Sequence, residues 1–185
     1  MEDLSLHILD IAQNSIRAGA TVLGVEVRED AAANLLSFTI RDNGCGMTEE
    51  QLARLHDPFF TTRDTRRVGL GIPLLKQTAE QAGGGISVTS APGAGTTVEA
   101  RYELDNIDRP PLGDLAATVW TLIVLNPTVE IDYVHARDGR RFEVNTTYLK
   151  KFLGTSRFGT PRLAAALRTY LDDGEKNLAG LGAAK

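Results

Sequence analysis

The 185-residue chain is 42% hydrophobic and 24% charged, and its 20 Lys and Arg against 24 Asp and Glu leave a net charge of -4. This is a globular balance, and with 9 basic and 14 acidic residues up to Leu104 and 11 and 10 beyond it, neither part has the basic surplus that binds a phosphate backbone. One cysteine excludes an internal disulfide, three scattered histidines form no ligand motif, and no charged leader or long apolar run signals secretion or membrane spanning, so a cytoplasmic protein is expected.

From residue 3 to 18 apolar side chains recur at helical spacing, with Asp3 or Ser5 as cap and Gly19 as stop. His7, Asp10, Asn14 and Arg17 share a polar face of that helix. Strands are predicted over 21–28 and 35–41, joined by turn formers. Asp42-Asn43-Gly44-Cys45-Gly46-Met47 follows, then a short helix opened by a capping box from Thr48 to Gln51. A loop from Asp57 ends at Gly69-Leu70-Gly71, and a helix over 72–82 stops at three glycines. Residues 86–90 and 96–104 form a hairpin. Without strand–helix alternation, this order predicts an α+β fold: a mixed or antiparallel sheet covered on one face by helices.

The stretch 105–111, whose Pro110-Pro111 forces extended backbone, marks a boundary between residues 1–104 and a small α/β module over 105–185. That module is predicted to contain a helix over 113–125, a hairpin of 129–136 and 141–145 turned at Asp138-Gly139, helices over 147–153 and 161–171, and a small-residue tail. Trp120, Phe142, Tyr148 and Phe152 read as packing, and the module as a docking surface for a protein partner.

The glycine pairs carry the chemistry. Gly44 and Gly46 follow an apolar strand, Gly69 and Gly71 precede a helix, and Gly93 and Gly95 sit in a hairpin turn. Free N–H groups at a helix start suit a phosphate, although each pair alone also reads as a turn. Asp42 at a strand end can accept from an exocyclic amine or serve as a turn residue. Asn14 can ligate a hard cation and Asp10 can orient or deprotonate water, unless the face is merely solvated.

Asp10-x-x-x-Asn14, Asp42-x-Gly44-x-Gly46, Pro58-Phe59-Phe60, Gly69-x-Gly71 and Gly93-x-Gly95-Thr96-Thr97 occur together and in order. In this the chain resembles the GHKL ATPases (gyrase-type topoisomerases, heat-shock chaperones, histidine kinases and MutL proteins) over residues 4–104. The first helix looks most like the MutL version, and residues 57–97 look like a histidine kinase. The resemblance implies a two-layer α/β sandwich of the Bergerat type that binds ATP and Mg2+. Asn14 would coordinate the metal. Asp42 would bind the adenine amino group beside Gly44, Gly46 and Met47, with Thr97 assisting through water. Residues 61–68 would be the lid, with Phe60, Thr61, Thr62 and Arg63, and also Arg66 and Arg67, as nucleotide contacts. Gly69, Leu70 and Gly71 would hold the phosphates.

Asp10 stands where the topoisomerase and MutL branches carry a glutamate general base, and is one methylene shorter, so hydrolysis is permitted. Histidine kinases place a phosphoacceptor hairpin before this domain and MutL proteins place a second domain after it; neither is expected here. His7 lacks the following acid and the proline of a phosphoacceptor site. The expectation is therefore a cytoplasmic ATP-binding regulatory protein, acting as a kinase in trans or a slow ATPase. The alternative is a nucleotide-gated binding module comparable to anti-sigma factors. No nucleic-acid or membrane partner is expected, and a homodimer stays open. Cys45, between two adenine-site glycines, is expected to be a buried thiol.

Overall fold

A computed structural model describes residues 3–55 and 71–180. Its first helix, α1 (Leu4–Arg17), buries Leu4, Ile8, Ile11 and Ala12. Asp3 caps it by accepting from the Leu6 amide, and the amides of Leu4 and Ser5 donate to the carbonyls of Pro111 and Leu112 at 2.9 and 2.8 Å. Helix-start donors that lack intrahelical partners are thus satisfied by a segment far along the chain.

Strands β1 (Val22–Asp30) and β2 (Leu35–Asp42) pair antiparallel, with Val25 opposite Ile40. A short α2 (Glu49–Ala53) carries the expected capping box, and α3 (Gly71–Gln81) leads into β3 (Gly85–Ala91) and β4 (Gly95–Glu103). After the connection come α4 (Leu115–Leu125), β5 (Glu130–Arg137), β6 (Arg140–Asn145), α5 (Thr146–Leu153) and α6 (Pro161–Leu178).

All six strands form one sheet in the order β3-β4-β2-β1-β5-β6. Every pairing is antiparallel except β1 with β5, which run parallel with Val22 opposite Glu130. Period-two alternation gives the sheet two unlike faces. Leu23, Val25 and Val27 are buried while Glu26 and Arg28 are exposed, and the buried rows meet α1, α3, α4 and α6 in one core. The result is a two-layer α+β sandwich, helices on one side only. Residues beyond 104 extend both layers: the β5–β6 hairpin widens the sheet, and α4 packs against α1. Among the described residues no helix is long and apolar enough to cross a membrane.

Two expectations fail here. The last helix does not stop at 171 but continues to Leu178, because Leu167, Leu171 and Leu178 extend its buried stripe. Gly174, a helix breaker by propensity, is admitted because the Phe142 ring lies where a Cβ would be. Tyr148 and Phe152 are not packing residues, being 74% and 87% exposed. Helix α5 docks instead through buried Thr146, whose hydroxyl accepts from the Ile131 amide, and through Lys150, which donates to Glu130 at 2.7 Å. Its aromatic side faces solvent. Trp120 and Phe142 do pack against the core, the indole donating to the Ala164 carbonyl at 2.7 Å.

A buried ionic cluster fastens α6 to the sheet. His135 on β5 meets Glu175 on α6 through Nδ1 at 2.8 Å and Glu29 on β1 through Nε2 at 3.2 Å. Tyr133 donates to Glu175 at 2.7 Å, and Arg137 stands 3.7 Å from Glu29. With a carboxylate at each nitrogen, both must donate, so the ring is an imidazolium. Burial alone would depress His135, but the bonds to Glu175 and Glu29 outweigh it and raise its pKa to about 9. Glu29 is in turn held below its usual range, chiefly by that hydrogen bond.

Candidate nucleotide site

At the opposite end of the helix-covered face, β2 ends at Asp42. Gly44 N–H donates to Asp42 Oδ1 at 2.9 Å and Thr96 N–H to the same oxygen at 3.2 Å, while Ser15 Oγ on α1 donates to Oδ2 at 2.5 Å. Both side chains come from elements whose apolar stripes fix their rotation: α1 turns Ser15 toward the sheet, and the alternation of β2 puts Asp42 on the same face as Phe38 and Ile40.

The loop after Asp42 is clamped between α1 and the β3–β4 turn. Cys45 N–H donates to the Ala18 carbonyl at 2.9 Å, and Gly93 N–H donates to the Cys45 carbonyl at 2.8 Å. Gly46 adopts φ 66° and lies so close to the Ala91 carbonyl that a Cβ would overlap it, so the glycine is required for this approach. Met47 N–H donates to Ser90 Oγ at 2.9 Å. Asn43 is a lock rather than a flexible link: its Oδ1 accepts from the amides of Thr21 and Val22, both at 2.9 Å, and ties the start of β1.

One turn away on α1 lies the second group. Asp10 and Asn14 are half-buried, and a Cβ on Gly71, the first residue of α3, would fall on the Asp10 carboxylate, with Asn14 Nδ2 also 4.0 Å away. Asn14 Oδ1 accepts from Arg17 Nη1 at 2.8 Å, and the second Arg17 nitrogen reaches Gln13. Asp10, Asn14, Arg17 and Gly71 therefore converge, while Ser15, next to Asn14, joins this group to Asp42.

Three sequence readings are corrected. Thr97 does not meet Asp42: it pairs with Arg41 and Thr89, whereas Thr96 pairs with Asp42 and Ser90. One residue along a strand reverses the face, so Thr97 belongs to the uncovered side of the sheet. Cys45 is exposed, not buried. His7 does not share the open face of Asp10 and Asn14; it is 1% exposed, with no hydrogen-bond partner on either ring nitrogen among the described residues. Burial, the largest influence, pushes its pKa down to about 4, leaving a neutral ring. Phe60, Thr61, Thr62, Arg63, Arg66, Arg67, Gly69 and Leu70 lie outside the described residues. Ser15 and Ser90 were missed, and Thr96 was named only as part of the hairpin motif, because a hydroxyl in a strand or helix carries no sequence signal of its own.

Among the described residues no group of three or more His, Cys, Asp and Glu is placed to hold a metal. The oxygen donors of Asp10 and Asn14, one turn apart on α1, fit a hard cation that takes the rest of its shell from phosphates and water, which is how Mg2+ is bound.

Comparison with known proteins gives four findings. The family described as histidine kinase-, DNA gyrase B-, and HSP90-like ATPase matches residues 2–106. The non-motile and phage-resistance protein of Caulobacter vibrioides is 32% identical over 119 residues, which is 60% of this chain but 14% of that protein. Sensor histidine kinase ZraS of Klebsiella oxytoca is 36% identical over 90 residues, 48% of this chain and 19% of that one. The chain thus corresponds to a small part of either relative. Among solved structures, the N-terminal domain of a DNA repair protein superposes with a TM-score of 0.58 at 15% identity, covering 78% of this chain and 52% of that one, a likeness of fold.

Proposed function

The chain belongs to the histidine kinase-, DNA gyrase B- and HSP90-like ATPase family, and on that premise we propose that it is a Mg2+-ATP-binding signalling protein that transfers phosphate to a partner protein or hydrolyses ATP slowly. The observation that carries this reading is Asp42, a half-buried carboxylate held by three donors at a strand end, next to the helix that presents Asp10 and Asn14. Asp42 accepts from the adenine amine, and Gly44, Gly46 and Met47 line the base. Asn14 holds Mg2+ together with the phosphates, and the metal's role when bound is to neutralise phosphate charge. Arg17, already at Asn14 Oδ1, adds a guanidinium for phosphate oxygens. Phe60, Thr61, Thr62, Arg63, Gly69, Leu70 and Gly71 complete the lid and the phosphate cradle.

In hydrolysis Asp10 would take a proton from water as the water oxygen bonds to the γ-phosphorus. The bond from that phosphorus to the bridging oxygen breaks, its electron pair leaving with ADP. Among the described residues His7 and His135 are both buried, which supports transfer of the phosphoryl group to a residue of another protein. The exposed Tyr148 and Phe152 favour a second reading beside this one. In it, nucleotide changes the affinity of a protein docked on residues 105–185, which requires the two states to bind that protein differently.

Calorimetric titration with ATP, with and without Mg2+, followed by assays of phosphate release, tests the proposal. Mg2+-dependent binding with release supports the enzyme. Binding without release supports the gated module, and no binding overturns both.

A further inference from the structure

The hydroxyl groups behind Asp42 have a definite proton order. Ser90 on β3 and Thr96 on β4 are cross-strand partners, and Thr96 is also the partner of Asp42. Ser90 Oγ accepts from Met47 N–H and lies 2.9 Å from the Gly95 carbonyl. A carbonyl can only accept, and serine has one proton, so that proton goes to Gly95. The 2.9 Å contact between the Ser90 and Thr96 hydroxyls is then made with the threonine proton. Thr96 Oγ1 keeps lone pairs alone for any further contact. On α1, Ser15, 6% exposed, commits its proton to Asp42 Oδ2. A carboxylate offers about four lone-pair directions, of which the three donors leave one. Every proton in the cluster points inward, and every remaining direction accepts.

We propose that Ser90 and Ser15 are positioning residues for base selection: they hold Thr96 and Asp42 as acceptors, so that the pocket takes a purine carrying an exocyclic amine and rejects one carrying an oxo group at the same carbon. This inference rests on Asp42 being the base-binding residue. An amine brings hydrogens to both acceptors, directly or through one water. An oxo group sets lone pair against lone pair and leaves partly buried acceptors unpaired, the situation in which binding sites discriminate strongly. Replacing Ser90 by alanine releases the Thr96 proton, which can then turn outward and donate to an oxo group. Replacing Ser15 frees one more direction on Asp42 and leaves it less firmly aimed.

The test is calorimetric titration of the full chain with ATP and with inosine triphosphate, in which an oxo group replaces the amine and the neighbouring N1 carries a hydrogen. The wild type is expected to prefer ATP, and Ser90→Ala to lower the ATP-to-inosine ratio about tenfold, with Ser15→Ala lowering it less. General loosening weakens both nucleotides and leaves their ratio unmoved, so the ratio separates positioning from structural damage. Thr96→Val, which preserves shape, is expected to lower the ratio too and serves if Ser90→Ala fails to fold. An unchanged ratio in the folded variants overturns the inference. So does a wild type that binds both nucleotides equally, although ATP binding would then stand. A wild type that binds neither overturns the reading of the site itself.

Discussion

Two polar clusters occupy opposite ends of the helix-covered sheet face, and they are built on contrary plans. Around His135 every charge faces an opposite charge or a donor, the ring is 4% exposed, and its partners come from β1, β5 and α6. Around Asp42 the group is half-buried, its donors are neutral backbone and hydroxyl groups, and its outward directions accept. A cluster closed on itself can do little except hold elements together, and removing one member strands the others. A cluster with directed acceptors toward a half-open side is complete only with a donor from outside. Polarity alone does not mark a site; the direction of its unused lone pairs does.

The contrast can be broken most forcefully at Asp42. Asp42→Asn should lose ATP affinity by on the order of a hundredfold or more while melting near the wild-type temperature, because an amide turns a donor toward the base. Calorimetry and thermal denaturation on one sample check both halves. Next in size, Asp10→Asn should abolish phosphate release, a loss on the order of a hundredfold, with ATP affinity kept within a few-fold. Unchanged turnover would remove Asp10 from the chemistry.

At the closed cluster the effects should be reversed. His135→Ala leaves the partly buried Glu175 without its cation and buried Glu29 with Arg137 alone, which should cost about 3 kcal/mol in denaturant unfolding and leave nucleotide affinity untouched. The smallest effect is one of pH. The pKa of His135 is raised in the fold from an ordinary 6.5 to about 9, so its stabilisation is complete below 6.5 and lost as pH rises through about 9. Unfolding free energy measured across that window should fall by at most about 1.4 kcal/mol per pH unit. In His135→Ala the fall should disappear, and a slope that persisted would place the titrating group elsewhere.

Much of this arrangement was readable beforehand, because amphipathic periods, caps and glycine pairs are local. Asp10, Asn14, Asp42 and the glycines stood out by their places on one helix face and at element ends, and only the resemblance to the GHKL ATPases gave them roles, whereas the Asp138-Gly139 turn follows from a dipeptide whose φ values are 46° and 80°. What escaped depended on distant partners. Thr96 and Thr97 are chemically alike, and only the register against Asp42 decides which of them faces it. Glu29, His135 and Glu175 come from three separate elements, so nothing local assembles them. Gly174 looks like a helix stop until the Phe142 ring is placed against it. Tyr148 and Phe152 have the spacing of a buried stripe, yet α5 docks by its other side.

The parallel pairing of β1 with β5 has a consequence for how the protein is made. During synthesis, β2 emerges soon after β1 and can cover one side of it, but the other side waits until residues 130–137 have left the ribosome. Through most of translation a nine-residue strand near the middle of the finished sheet is an exposed edge, able to recruit any unpaired strand it meets. A chain ending at Leu104 would keep that edge for good and would be expected to pair with a second copy of itself, so the late hairpin also acts as a chaperone supplied in cis.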